Sequence, residues 1–256
     1  MELLHKIEAL ARKAGEIILS ARDVEDCVRE KTSAADLVTA YDLKVESFLK
    51  EALPPLVEGS IFFGEEEKEN QDPRKGWAFI VDPIDGTTNF VRGLHQSCTS
   101  IALIKDGVTM YGVVYDPYKD ELFSAKRGEG AYLNGAPIHV SERPLSQGIF
   151  GMGTAIYNRE YLEPTLRMTE QLFKRSCDFR RLGSAALDLC NVACGRTDLF
   201  FEYSLSPWDH AAGSLMVTEA GGLVSTMAGT VLAPTERASC WASNRVNGDI
   251  LKEVEV

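Results

Sequence analysis

The chain of 256 residues predicts layered helices and sheets, α+β in its first part and α/β in its second. Three observations carry that expectation. Two amphipathic helical periods open the chain, a block of short alternating strands follows, and strands and helices take turns after Pro144. Leu3, Leu4, Ile7, Leu10, Ala11, Ala14, Ile17 and Ile18 recur at helical spacing and predict a first helix to about Arg22. Arg29 to Thr39 reads as a hairpin. Tyr41, Val45, Phe48, Leu49 and Ala52 mark a second helix, stopped by Pro54 and Pro55.

Ile61 to Phe63 and Trp77 to Val81 are short, aromatic and β-branched, as buried strands are, and the second is expected to end at Asp82 because Pro83 has no N–H for a ladder. From Cys98 to about Val140 apolar alternation is broken by Asp106-Gly107 and Asn134-Gly135, the pairs that close tight hairpins, so an antiparallel sheet is expected to pack on the two helices. The remaining elements are a strand over Ile149 to Met152, a helix near Tyr161 to Lys174 and a strand over Phe179 to Leu182. A helix from Ser184 to Cys194, a strand over Leu199 to Glu202 and a helix from Pro207 to Ala220 complete the list, with Gly195 and Gly221 ending the two helices. The expected division is a seam near residue 146, giving parts 1–146 and 147–256 with no flexible linker.

Composition agrees with a folded enzyme: 45% hydrophobic and 25% charged residues. A net charge of −11 argues against passive nucleic-acid binding, which needs basic patches to neutralise phosphates. The six cysteines, Cys27, Cys98, Cys177, Cys190, Cys194 and Cys240, form no CxxC and cluster with no histidine, so neither zinc nor redox chemistry is indicated. Scattered cysteines, early charges and the lack of a long apolar run lead to the expectation of a reduced, cytoplasmic protein without a membrane role.

The most informative stretch is DPIDGTTNF, Asp82 to Phe90. It sets two carboxylates beside a helix start, with Gly86 free to turn and Thr87 and Thr88 as good caps. A helix start attracts a phosphate oxyanion that Asp82 and Asp85 would repel, so both can share a site only with cations between them. Asp82 and Asp85 stand at i and i+3, not the i and i+2 of an aspartyl-phosphate phosphatase, and the pattern lacks the alternating acids of an EF-hand. Glu65 to Glu67 end the earlier apolar run. Asp209 falls in the first turn of the helix begun by Ser206 and Pro207. Each acid also has a plainer reading: turn residues for Asp82 and Asp85, a dipole-complementing carboxylate for Asp209, a solvated surface acid for Asp42. Glu66 and the acids after it are read as solvated, and His210 as a residue that supports the site or the fold rather than a ligand.

In one register, Lys31, DLVTAYD (36 to 42), GEE (64 to 66), DPIDGTTNF (82 to 90), GSAALD (183 to 188), FFE (200 to 202) and PWDHAAG (207 to 213) resemble the inositol monophosphatase family over nearly the whole chain. The resemblance implies an αβαβα sandwich with the site between the halves. It implies that Glu65, Asp82 and the Ile84 carbonyl hold one Mg²⁺, that Asp82, Asp85 and Asp209 hold another, and that a third can bind near Glu65. Mn²⁺ is a possible substitute. Thr87 and Asp42 would orient the attacking water, and Lys31 would stand on a hairpin near the metals. Gly86 and Thr87 would meet the phosphate, while Asp85, Gly183, Ser184, Ala185, Glu202 and Asp209 would meet the substrate. Lithium sensitivity and a homodimer follow from the same resemblance.

Physical chemistry points the same way. Two carboxylates about 4 Å apart repel by roughly 4 kcal/mol at an effective dielectric near 20, so converging acids need cations, and oxygen-only donors suit hard ions. Phosphate monoester hydrolysis needs accelerations approaching 10²¹-fold, which paired metals can serve. The expected reaction is direct in-line attack of water on myo-inositol 1-phosphate or a similar polyol phosphate. Alternatives are fructose 1,6-bisphosphate, histidinol phosphate or a nucleotide 3′-phosphate as substrate, or a regulatory binding protein that keeps the fold.

Overall fold

Asp106 and Asn134 adopt positive φ, 50° and 49°, each followed by a positive-φ glycine, so both expected hairpin turns form and set the register of the central sheet. The structure, a computed structural model, describes residues 2–22, 24, 28–30, 37–67, 71–156 and 158–254. In chain order these form α1 (Glu2–Leu19), β1 (Val28–Glu30), β2 (Leu37–Thr39), α2 (Ala40–Ala52), β3 (Ile61–Gly64), β4 (Trp77–Asp85), α3 (Thr87–Val91), β5 (Cys98–Lys105), β6 (Val108–Asp116), β7 (Glu121–Lys126), β8 (Ala131–Leu133), β9 (Ala136–Ile138), β10 (Ile149–Met152), α4 (Leu162–Phe173), β11 (Asp178–Arg180), α5 (Ala185–Ala193), β12 (Leu199–Leu205), α6 (Pro207–Glu219), β13 (Leu223–Ser225) and β14 (Ala238–Ser243). Among the described residues the strands make a β1–β2 hairpin, a seven-stranded sheet ordered β3-β4-β5-β6-β7-β8-β9, and a five-stranded sheet ordered β11-β10-β12-β14-β13.

The layers follow from alternation along the strands. Phe79, Val81, Ile101 and Leu103 face α1 and α2, where Ile7, Ala11, Ile18, Val45 and Leu49 close one core. Their neighbours Ala78, Ile80, Ala102 and Ile104 face the opposite way, onto α5 and α6, and those helices are covered from beyond by Phe200, Cys240 and Ala242 of the smaller sheet. Phe201 and Trp241 then point to the far side, onto Met168 and Leu172 of α4. The order is therefore helix, sheet, helix, sheet, helix: the expected αβαβα sandwich. Phe79, Phe123, Phe150, Phe200 and Phe201 are fully buried, and each contributes about 1.5–3 kcal/mol by leaving water.

Several local expectations change. The first helix ends at Leu19 rather than Arg22; Ala21 N–H turns back to the Ile18 carbonyl and tightens the last turn. Pro83 interrupts the ladder without ending the strand. Pairing runs from Trp77↔Lys105 to Asp82↔Ser100, shifts by one residue, and resumes at Asp85↔Cys98. Thr99 Oγ1 donates to the Pro83 carbonyl at 2.9 Å and holds this bulge. The helix after it is capped by Gly86 in the left-handed region, so Thr87 is its first residue and not its cap. The strands β13 and β14 were not anticipated, because LVS and ASCWAS carry too little apolar alternation to read as strands.

Helix α6 lies against α5 at Gly213, where an added Cβ would stand 2.6 Å from Leu189 Cβ. Gly213→Val is expected to cost about 1–3 kcal/mol through overpacking of the middle layer, measured as a lowered urea midpoint with unchanged slope. A wild-type midpoint would contradict this packing.

Candidate active site

Three chain segments deliver four acids to one place. Glu65 follows the end of β3, its N–H bonded to the Val81 carbonyl at 3.2 Å, which keeps it beside the end of β4. Asp82 and Asp85 stand on either side of the bulge. Asp209 enters from α6, whose start is set by Pro207 at the first helical position and by the Asp209 carboxylate, which accepts the Ser206 N–H at 2.6 Å. Trp208 packs on Phe63 with ring centroids 5.9 Å apart, and its carbonyl accepts from Ser100 Oγ at 3.2 Å, so α6 begins against the ends of β3 and β5. One carboxylate oxygen from each of Asp82, Asp85 and Asp209 lies within 4.8 Å of the others.

Asp85 also joins the two halves of the chain. Its Oδ2 accepts from Ser184 Oγ at 2.6 Å and from the Ala186 N–H at 2.8 Å, so the first turn of α5 is fastened to the end of β4. Ser184 caps α5, as its position implied. Beside this tie, Gly86 and Gly183 both hold positive φ, and a Cβ on Gly86 would lie 2.8 Å from the Gln96 carbonyl and 3.1 Å from that of Gly183. No side chain fits there. Asn89 Nδ2 bridges the same seam, donating to the Gln96 and Leu182 carbonyls at 2.7 and 2.8 Å.

Asp42 is fully buried, which overturns its reading as a solvated acid. It is the third residue of α2 in a capping box with Thr39: its Oδ2 accepts the Thr39 N–H at 2.8 Å and the Thr39 hydroxyl at 2.5 Å. Its Oδ1 stands 3.3 Å from Thr87 Oγ1, which is also 3.1 Å from the Ile84 carbonyl. The threonine hydroxyl thus has two acceptors for one proton and keeps its lone pairs for a third partner.

A cavity of about 720 Å³ lies over these groups. Glu65, Asp82, Ile84, Asp85, Gly86, Thr87, Gly183, Ser184, Ala185, Glu202 and Asp209 all border it; Asp42 does not, and stands behind Thr87. Lys31 lies outside the described residues. Glu66 and Glu67 are half-buried rather than solvated, and Lys50 pairs with Glu67 at 2.7 Å. Sequence reasoning missed Asp188, Arg92, Arg181 and Arg237 as cavity residues. Asp188 had a usable signal, since it sits one helical turn after the Ser184 cap; Arg92 and Arg237 belong to no pattern. His210 is buried and bonds the Glu236 carbonyl at 3.2 Å, consistent with a structural residue.

The charges are costly as they stand. Burial, then the charges of Glu65, Asp85 and Asp209, hold the Asp82 carboxyl well above the usual range. Burial, then Asp85 and Glu65, do the same to Asp209. Asp85 is raised less, to about 6: burial lifts it while the Ser184 and Ala186 hydrogen bonds pull it back. Asp82 Oδ1 is buried with no hydrogen-bond partner. A crowded set of carboxylate oxygens, one of them without a hydrogen-bond partner, fits a hard divalent cation. Further along the wall, burial lifts Glu202 to about 7, although its Oε1 accepts the Ala155 N–H at 2.8 Å.

This fold is that of a known class. The profile of the inositol monophosphatase family matches residues 2–255, and the chain belongs to that family. Among curated proteins it is 40% identical over 221 residues to Nus factor SuhB of Escherichia coli (strain K12), covering 86% of this chain and 83% of the relative. Among solved structures it is similar to the extragenic suppressor protein SuhB of Bartonella henselae, with TM-score 0.90 and 33% identity over 99% of this chain and 98% of the other. It is similar also to an IMPase of Thermotoga maritima, with TM-score 0.88 and 33% identity over 99% and 96% of the two chains. No helix among the described residues is long and apolar enough to cross a membrane.

The raised carboxyl of Glu202 has a consequence for the protein held in chelator. Between about pH 4.5, its usual value, and about 7 the folded chain keeps a proton that the unfolded chain has released. Stability from this group is therefore complete at the acid end and declines as pH rises through that window. His210, lowered to about 4 by burial, acts in the opposite sense, so the informative comparison is with Glu202→Gln. Urea denaturation from pH 4.5 to 8 is expected to show a gain in stability for the variant over wild type that grows toward pH 7. A constant difference would contradict the burial of a charged Glu202.

Proposed function

We propose that this chain hydrolyses phosphate monoesters of small polyols, myo-inositol 1-phosphate first among them, with Mg²⁺ as cofactor and Mn²⁺ as a substitute. The observation that carries the proposal is the convergence of Asp82, Asp85 and Asp209 within 4.8 Å beside the Thr87–Asp42 hydrogen bond. Glu65, Asp82, the Ile84 carbonyl, Asp85 and Asp209 would hold the metals. Bound Mg²⁺ supplies charge neutralisation for the phosphoryl group and acidifies the attacking water.

The chain's own residues do the rest. Thr87 Oγ1 accepts a hydrogen bond from that water and is itself oriented by Asp42, whose buried position against Thr39 fixes its rotamer. Gly86 and Thr87 present backbone N–H groups to the phosphate at the start of α3. Asp85 and Glu202 accept from polyol hydroxyls, and Gly183, Ser184 and Ala185 form a wall small enough for the ring to lie close. Attack is direct and in line, so no phosphoenzyme forms. The same reading carries inhibition by Li⁺, a homodimeric state and a cytoplasmic location. Lys31 is assigned to the metal approach on the family pattern alone.

The test is phosphate release from a panel of monoesters with Mg²⁺ and with chelator. Asp82→Asn is expected to lower kcat at least 10³-fold and to weaken metal binding while the fold persists; near-normal turnover would reject the site. Thr87→Ala is expected to reduce kcat by about 10²–10⁴-fold with little change in KM. An effect confined to KM would remove the water-orienting role.

A second reading is favoured by one observation, the name Nus factor carried by a curated relative at 40% identity. On that reading the chain works as a binding protein with the family fold. The net charge of −11 supports a protein partner over bare nucleic acid. The buried, mutually repelling carboxylates support retained metal chemistry, because without cations they only destabilise the fold. A panel that yields no phosphate release with Mg²⁺ would favour the second reading.

A further inference from the structure

The metal-dependent reading leaves open what holds Glu65 in place, since it lies on a loop rather than in a strand. Helix α2 carries Asp42, Glu46 and Lys50 at successive i, i+4 positions, one face of a helix. Each reaches toward the site from behind. Asp42 meets Thr87. Lys50 pairs with Glu67 at 2.7 Å. Between them Glu46, only 4% exposed, accepts the Glu66 N–H through its Oε2 at 2.9 Å.

The loop is shaped to receive that carboxylate. A Cβ on Gly64 would lie 2.3 Å from Glu46 Oε2, so the backbone just before Glu65 is bare where the carboxylate presses against it. The residue immediately after Glu65 supplies the N–H. Glu65 is therefore held on both sides, by its own N–H on the Val81 carbonyl and by the Glu46 bond to the next peptide. A buried carboxylate bound to a backbone N–H is a strong, directional contact.

We infer that Glu46 is a positioning residue for the metal centre: it fixes the peptide after Glu65 so that the Glu65 carboxylate stays turned toward Asp82. It touches neither substrate nor reacting atoms. Helix α2 then sets the water-orienting pair through Asp42 and a metal ligand through Glu46, and a shift of this helix would disturb both. Groups that orient metal ligands typically matter by 10–100-fold in metal affinity.

The inference rests on the proposed metal site, and Mn²⁺ binding followed by electron paramagnetic resonance separates the two. Glu46→Ala is expected to weaken Mn²⁺ binding at least tenfold and to raise by a similar factor the Mg²⁺ concentration for half-maximal turnover, with kcat at saturating Mg²⁺ within a few-fold of wild type. Glu46→Gln keeps an acceptor oxygen and is expected to recover most of the lost affinity, which also covers the case in which the alanine variant does not fold. Unchanged Mn²⁺ affinity in folded Glu46→Ala would overturn the inference, as would a glutamine variant as weak as the alanine one. Wild-type protein that takes up no Mn²⁺ would overturn the metal reading itself, and this inference with it.

Discussion

Electrostatic repulsion among buried carboxylates is the constraint around which the rest of this molecule is arranged. Asp82, Asp85 and Asp209 stand within 4.8 Å of one another, and burial holds all three above the normal range. Stability alone does not account for such an arrangement; the surrounding fold must impose it. Several devices share that task. Asp85 is neutralised in part by donors from α5, Asp209 by the backbone at the start of α6, and Glu65 is fixed through its flanking peptides. Helix starts face the acids from two directions, and their partial positive charge eases the crowding.

The middle layer does the mechanical work. Helices α5 and α6 lie between the sheets, pack on each other at Gly213 and Leu189, and open onto the same cavity. Their positions are registered to the large sheet by short polar links rather than by apolar contact alone: Ser184 and Ala186 to Asp85, and Trp208 to Ser100. Packing sets the layer spacing, and hydrogen bonds set the angular placement, which a site with several ligands needs more strictly.

Much of this was legible from residues alone. The Asp-Gly and Asn-Gly pairs gave the turns of the large sheet, and Ser184, Pro207 and Gly195 marked helix ends because their backbone chemistry is local. What escaped reading depended on distant neighbours. From its own segment Asp42 looks like any surface acid, and only the family resemblance pairs it with Thr87, 45 residues away. Glu46 and Glu66 carry no local sign of their contact, and Arg237 comes to the cavity just before β14, a strand whose small residues and lack of β-branched side chains hid it from sequence reading. The convergence of acids could be anticipated from family resemblance, whereas the burial that raises their proton affinity required coordinates.

The bulge at Pro83 acquires its meaning from parity. Side chains along a regular strand point alternately to opposite faces, so residues three apart would look away from each other. Asp82 and Asp85 are three apart, yet they oppose Ser100 and Cys98, which are two apart and share a face. The single extra residue inserted there converts an odd interval into an even one, and both acids emerge on the side where α5 and α6 wait. Were these three residues paired in regular register instead, without the bulge, Asp85 would turn to the opposite face, toward the layer of α1 and α2, and away from Asp82.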